Sequence, residues 1–296
     1  MGSQAIAGIA IQGSMFLMIM SVAMQTEARA VGQNLHDPGL LLRGLVAVNV
    51  VPPLVATMLV LTLHLDPPIA QGLLLMAISP LAPLIPGNAY RAGAERARIV
   101  ALYAALIVLA IIVVPLTVML LNAVFRTHAV ARLGTIGDVV LVSAIIPILM
   151  GLTIGEIFPR FSRRAAPAVA FVSYAVLAVF VFALLWMAGR QFLAMLGNGT
   201  IFAFGLTVLA GLIAGHLLGG PERGGRIALA FAASVRHPGI AAAIAHASGA
   251  SPKAILATIL FLLNGVVVTM LYQQWLKWDG RRRLNGAEVS SSTAAS

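Results

Sequence analysis

The segment ASVRHPGIAA, residues 233–242, places a cation, an imidazole and two helix-breaking residues inside an apolar stretch. Arg236, His237, Pro238 and Gly239 are consecutive, with RIALAFA before the segment and AIAHASGA after it. Proline inside a helix lacks a backbone donor and clashes with a carbonyl of the preceding turn. The pattern therefore predicts a helix that is interrupted near residue 237, with a polar site at the interruption.

The composition of the chain is that of an integral membrane protein. Hydrophobic residues make up 60% of the 296 residues and charged residues only 9%, whereas a soluble domain carries about 25% charged residues. The net charge of +10 is interpreted as an orientation signal in the loops and not as a nucleic-acid footprint. We expect a multi-pass protein of the cell membrane that contacts the lipid bilayer and binds no nucleic acid.

Nine stretches are long and apolar enough to cross a bilayer, which takes about 20 helical residues each. They are residues 5–24, 39–63, 68–88, 97–121, 137–157, 165–187, 200–219, 225–248 and 253–275. We predict an all-α membrane protein with about nine transmembrane helices. Residues 1–277 are expected to form a single transmembrane domain, and residues 278–296, which are polar and rich in small residues, a disordered cytoplasmic tail.

Basic residues are distributed unequally between the alternating loops. The richer set of loops carries Arg29, Arg43, Arg91, Arg96, Arg98, Arg160, Arg163, Arg164, Arg223, Arg226, Lys277, Arg281, Arg282 and Arg283. The other set carries Arg126, Arg132, Arg190 and Lys253. Because cytoplasmic loops are enriched in Lys and Arg, this distribution predicts a cytoplasmic C-terminus and an N-terminus outside.

A second interruption is predicted in the stretch 68–88, where Pro80, Pro83, Pro86 and Gly87 fall within eight residues. Irregular backbone at membrane depth is tolerated only where it is buried in protein or lines a watery cavity. The second interrupted stretch comes five spans after the first, an odd number, so the helix triplets around them have opposite orientations. This pattern predicts inverted repeats, about 5–121 and 137–277, with two discontinuous crossing helices at the binding site of a secondary transporter.

The candidate substrate-binding residues lie at these interruptions and in the helices beside them. They are Pro86, Gly87 and Asn88 in the first, Arg236, His237, Pro238 and Gly239 in the second, and Asn49 and Asn264 in the flanking helices. Arg236 is interpreted as binding the carboxylate or sulfonate of a small organic anion, and His237 as a carrier of a coupling proton. In the alternative interpretation the side chains of Arg236 and His237 form hydrogen bonds with the backbone, those of Arg236 with carbonyls of the two crossing half-helices. The two asparagines then form hydrogen bonds between neighbouring helices.

The stretches RAGAERARIVALY, residues 91–103, and LAFAASVRHPGIAAAIAHASGASPKAILATILFLLNGVVVTMLYQQW, residues 229–275, resemble the bile acid:sodium symporter family. The resemblance implies a ten-helix inverted-repeat transporter fold, in which two discontinuous helices cross near the substrate site. The family's first helix has no counterpart here, and its second corresponds to residues 5–24. Auxin efflux carriers share this architecture.

The resemblance leaves the coupling ion open between sodium and a proton. In sodium-dependent members, the position that corresponds to Ala232 holds an acidic residue, and those that correspond to Arg236 and His237 hold a Gln-Asn pair. A Ser-Asn pair corresponds to residues 84–85, and a Ser corresponds to residue 98. The nine Asp and Glu residues all lie near span ends or in loops. The main interpretation is a bile acid:sodium symporter-like carrier, and the alternative is a proton-coupled or uncoupled organic-anion exporter.

An intramembrane enzyme is not indicated by the sequence. The chain has no cysteine and contains neither HExxH nor GxSxG. Ser234 and His237 are the one conceivable nucleophile–base couple, and nothing in the sequence orients the histidine. We expect no catalytic residue, no metal site and no cofactor.

Overall fold

The computed structural model describes residues 3–26, 38–82, 89, 92–93, 96–125, 141–247 and 249–294. Within these ranges all regular elements are helices and no β-strand is present. The all-α class predicted from the sequence is confirmed for this part of the chain.

The helices follow the predicted stretches closely. In chain order they are α1 (Ser3–Ala23), α2 (Pro38–Leu45), the π-helical turn π1 (Val46–Val50), α3 (Val51–Leu63), α4 (Pro67–Ile78), α5 (Arg96–Phe125), the π-helical turn π2 (Leu141–Ile145), α6 (Ile146–Ile157), α7 (Pro159–Ala194), α8 (Thr200–Leu218), α9 (Arg223–Ser234), α10 (Pro238–Ala247) and α11 (Pro252–Ala294). Each of the nine predicted stretches overlaps at least one of these helices.

Four helices in the described part are long and apolar enough to cross a membrane. They are Pro38–Leu63, Pro159–Ala183, Thr200–Leu218 and Pro252–Arg281. Shorter apolar helices are Gly13–Ala23, Pro67–Ile78, Ile112–Phe125 and Ile146–Ile157. The helices are those of a multi-pass membrane protein, while the number of crossings, the inverted repeat and the orientation of the termini stay predictions.

Prolines set the helix boundaries near the two interruptions. Helix α4 ends at Ile78, and Ser79 is extended, with φ −66° and ψ 149°, because the residue before a proline is disfavoured in the α conformation. Helix α9 ends at Ser234, and Val235 is likewise extended. Pro238 then begins α10, in the first helical position that proline favours.

Helices α8 and α9 pack backbone against backbone through three glycines spaced four residues apart. A Cβ at Gly211 would overlap the carbonyl oxygen of Ala233, and one at Gly215 would overlap that of Leu229. Gly219 meets the backbone of Arg226 in the same way. Small residues at this spacing let helix axes approach closely in membranes, so this contact fixes the end of α9 and the interruption that follows it.

The last described helix extends into the predicted C-terminal tail. Helix α11 continues beyond residue 278 as far as Ala294. The tail contains no proline after Pro252, so no residue in it lacks the backbone donor that a continuing helix needs. The division of the chain into a domain and a tail stays a prediction.

Candidate functional site

The two interruptions contact each other directly. The backbone N–H of His237 donates to the carbonyl of Pro80 at 2.9 Å, and that of Ala82 donates to Val235 at 3.4 Å. Leu81 and Arg236 thereby form an isolated antiparallel bridge. Backbone groups that leave a helix inside a membrane need new partners, and here each interruption supplies them to the other.

The Ser79 side chain adds a further bond across the same contact. Its hydroxyl donates to the carbonyl of His237 at 3.1 Å, and the residue is fully buried. Both the backbone and the side chain at the end of α4 therefore stabilise the start of α10.

Arg236 lies at the centre of this contact and is 2% exposed. Its Nη1 donates to the carbonyl of Ser79 at 3.2 Å. Its Nη2 donates to the carbonyl of Val48 and to that of Ala233 at 3.4 Å. The guanidinium thus connects π1, the end of α4 and the last turn of α9 through neutral acceptors.

His237 caps helix α10. Its Nδ1 accepts a hydrogen bond from the backbone N–H of Ile240 at 3.2 Å, and its carbonyl accepts the first helical bond, from Ala241, at 3.2 Å. A side-chain acceptor at this position satisfies one of the free N–H groups of the first turn. Because Nδ1 accepts, the ring proton is on Nε2, which has no partner within the described residues.

A cavity of about 40 Å³ lies beside Arg236. It is lined by Met76, Ser234, Val235, Arg236, Phe261, Leu262, Gly265, Val266 and Thr269. This volume has room for a few water molecules and is far below the roughly 300–1,000 Å³ of sites that enclose organic ligands. In this conformation the cavity is therefore too small for a bile acid.

A larger groove of about 600 Å³ lies between α8 and α11, away from the interruptions. It is lined almost entirely by apolar side chains, among them Leu209 and Leu271, which are exposed on the helix surface. Two of its lining residues, His216 and Tyr272, form a 2.7 Å hydrogen bond between the histidine Nδ1 and the tyrosine hydroxyl. Both helices are long and apolar enough to cross a membrane, so we expect this groove to face the acyl chains of a bilayer.

The helical chain with two interrupted segments matches a known family. The model for the Sodium Bile acid symporter family covers residues 14–195, which is more than half of the chain. The chain belongs to the Sodium Bile acid symporter family. No curated protein matches the chain.

Family membership places the protein among membrane transporters. The family match includes the first interruption, at Ser79–Ala82, and ends before the second, at residues 235–237. The interpretation of Arg236 and His237 therefore rests on the contacts of these two residues and not on the family match. The resemblance stated from the sequence is confirmed at the level of the family.

The structure brings some of the predicted site residues together. Arg236 and His237 lie at the contact between the interruptions. Pro238 and Gly239 form the first turn of α10, where Gly239 lies against the side chain of Met15. The predicted residues Pro86, Gly87 and Asn88 lie outside the described residues.

The two asparagines differ from each other in their surroundings. Asn49 follows Val48 in π1 and is buried, and its Nδ2 has no partner in the described part of the chain. Asn264 donates from Nδ2 to the carbonyl of Ile201 at 3.1 Å and lies against Gly205. In the described conformation Asn264 therefore joins α11 to α8, and only its neighbour Gly265 lines the small cavity.

Sequence reasoning missed Val48 and Ser79 as partners of Arg236. A signal for Val48 was present, because Pro52 and Pro53 stand four and five residues after it and have no N–H to donate to its carbonyl. The G-x-x-x-G spacing of Gly211, Gly215 and Gly219 was also a readable signal of close helix packing.

Proposed function

We propose that this protein is a secondary active transporter of a small organic anion that works by alternating access, with its substrate site at the two interrupted segments. The observation that carries the proposal is the pairing of these segments around the buried side chain of Arg236. A pair of interrupted spans near mid-membrane is the recurrent plan of transporter binding sites.

The proposed inverted repeat places the two interruptions in halves of opposite orientation. The second interruption comes five predicted spans after the first, and this odd number supports the arrangement, as does the alternation of basic residues between the loops. In the proposed topology the N-terminus is outside and the C-terminus is cytoplasmic.

The charge at the site favours an anion. The hydrogen-bond partners of Arg236 in the described part of the chain are neutral carbonyls, and its Nε has none there. A positive charge without a carboxylate partner in a region of low dielectric attracts a negative group strongly. We propose that the carboxylate or sulfonate of the substrate approaches Arg236 through the small cavity, with His237, Asn49 and the predicted Pro86-Gly87-Asn88 segment nearby.

The cavity must widen for transport to occur. At about 40 Å³ it admits water but no organic anion, so we propose that the described conformation is closed around the site. Movement of α9–α10 against α4 would open the cavity, because these helices are joined there by a few hydrogen bonds between their ends.

The family description makes sodium the first coupling ion to test. A second candidate, a proton-coupled or uncoupled organic-anion carrier, is favoured by one specific observation. Arg236 holds its guanidinium at the carbonyls of the interruption, and that charge opposes the binding of sodium at the same place.

The proposal is tested by uptake into proteoliposomes that contain the purified full chain. Labelled taurocholate, cholate and benzoate are compared under an inward sodium gradient, under a pH gradient and with neither, and liposomes without protein give the background. We expect flux of at least one anion above background. Stimulation by sodium supports symport, stimulation by the pH gradient alone supports the second candidate, and flux at background for all three anions under every gradient contradicts the proposal.

A further inference from the structure

Three backbone carbonyls from three separate segments converge on the guanidinium of Arg236. Val48 belongs to π1, Ser79 follows α4, and Ala233 lies in the last turn of α9. All three accept hydrogen bonds from this one side chain.

The sequence frees each of these carbonyls from its ordinary helical partner. In an uninterrupted helix the carbonyl of Val48 would accept a hydrogen bond from the N–H of residue 52 or 53. Both of these residues are proline and have no N–H. Ser79 has left the helix. The N–H of His237, four residues after Ala233, donates instead to Pro80. The sequence itself therefore leaves these three carbonyls free to accept other hydrogen bonds, and imperfect packing is not the cause.

Carbonyls of unwound backbone and of helix C-terminal ends are the groups that bind monovalent cations in transporters with broken helices. We propose that the guanidinium of Arg236 is a built-in cation, which occupies this carbonyl cluster and holds the three segments together without a bound ion. The proposal rests on the proposed function only in treating the interruption as part of the transport pathway.

Arg236 is then a positioning residue that also determines ion specificity. Arg236 is part of the segment that joins α9 to α10, so its positive charge is always present at the carbonyl cluster. The cluster therefore needs no external cation to keep the two interruptions paired. Removal of the side chain leaves a buried group of carbonyls without donors, and such groups are costly unless a new partner enters. The vacated cluster is therefore expected to bind a small cation that the wild-type protein does not bind there.

The test measures the thermal unfolding midpoint of the detergent-purified full chain in choline chloride, and again with added methylguanidinium or sodium chloride at low millimolar concentration. Arg236→Ala is expected to lower the midpoint by about 5 °C or more, and methylguanidinium is expected to restore much of the loss. Arg226→Ala is the matched control, because Arg226 also donates to a carbonyl, that of Gly220 at 2.8 Å, but is only half-buried. The unfolding midpoints of the wild type and of Arg226→Ala should not change when methylguanidinium is added.

The same response to methylguanidinium in the wild type and in Arg236→Ala, or no response in either, overturns the proposal. Should Arg236→Ala fail to fold, Arg236→Lys and Arg236→Met decide the question, because lysine keeps the charge and methionine keeps only the length. The lysine variant should melt above the methionine variant, whereas equal midpoints or the reverse order contradict a cation role. These measurements use no substrate, so they stand whether or not the transport assay succeeds.

Discussion

Among the described residues, the groups that stabilise Arg236 in the interior are carbonyls and not carboxylates. A guanidinium at the centre of a membrane helix costs about 2.5–3.5 kcal/mol on insertion scales. A hydrogen bond to a charged group returns about 1.5–3 kcal/mol, so the three bonds to Val48, Ser79 and Ala233 are sufficient to offset that cost. The residue predicted from the sequence to lie in the substrate site thus also joins three segments of the chain by hydrogen bonds.

His237 has a structural role that the sequence alone did not separate from proton coupling. Replacement by alanine removes the acceptor of the Ile240 N–H and is expected to lower the free energy of unfolding by about 1 kcal/mol. His237→Asn, which restores a capping oxygen, should recover most of this loss. Denaturant unfolding of both variants checks the prediction, and equal stability of His237→Ala and the wild type contradicts it.

The asparagine variant also separates the two roles in transport. If His237 carries the coupling proton, flux in His237→Asn no longer responds to a pH gradient although the protein remains stable. If it acts only as a cap, the response to the gradient is unchanged.

At the scale of helices, prolines and glycines determine where the site forms. Prolines end α4, begin α10 and free the carbonyl of Val48 in π1. Glycines then bring α8 against α9, so that the C-terminal end of α9 is held in place. These prolines and glycines have no polar side chain, but they position the polar groups of the candidate site.

The close contact of α8 with α9 predicts opposite effects for two similar substitutions. Gly215→Ala places a methyl group against the backbone of Leu229 and Ala230 and is expected to destabilise the protein by about 1–3 kcal/mol through overpacking. Gly189→Ala in α7 meets nothing within 4 Å and is expected to be neutral or to stabilise by about 0.5–1 kcal/mol, as alanine is the better helix former. Thermal unfolding of both variants measures the difference, and an equal effect of the two would disprove the contact.

At the scale of the whole molecule, the sequence predicted the class of the fold and the positions of the two interruptions better than the contacts between them. Hydropathy located the helices, because a bilayer requires long apolar runs, and the motif at residues 236–239 located the interruption. The partners of Arg236 could not be predicted, because Val48 and Ser79 are distant in sequence and contribute only backbone carbonyls, which every residue has.

The chain's lack of cysteine permits a direct test of the site in the membrane. Thr269 lines the small cavity beside Arg236, whereas Leu209 lines the apolar groove that faces lipid. In proteoliposomes we expect Thr269→Cys to react with a membrane-impermeant thiol reagent and to react several-fold more slowly in the presence of the anion, taurocholate or benzoate, that gives the greater flux. Leu209→Cys should not react. Absence of reaction at Thr269→Cys from both sides of the membrane, or a rate that the transported anion leaves unchanged, would contradict a substrate site at the paired interruptions.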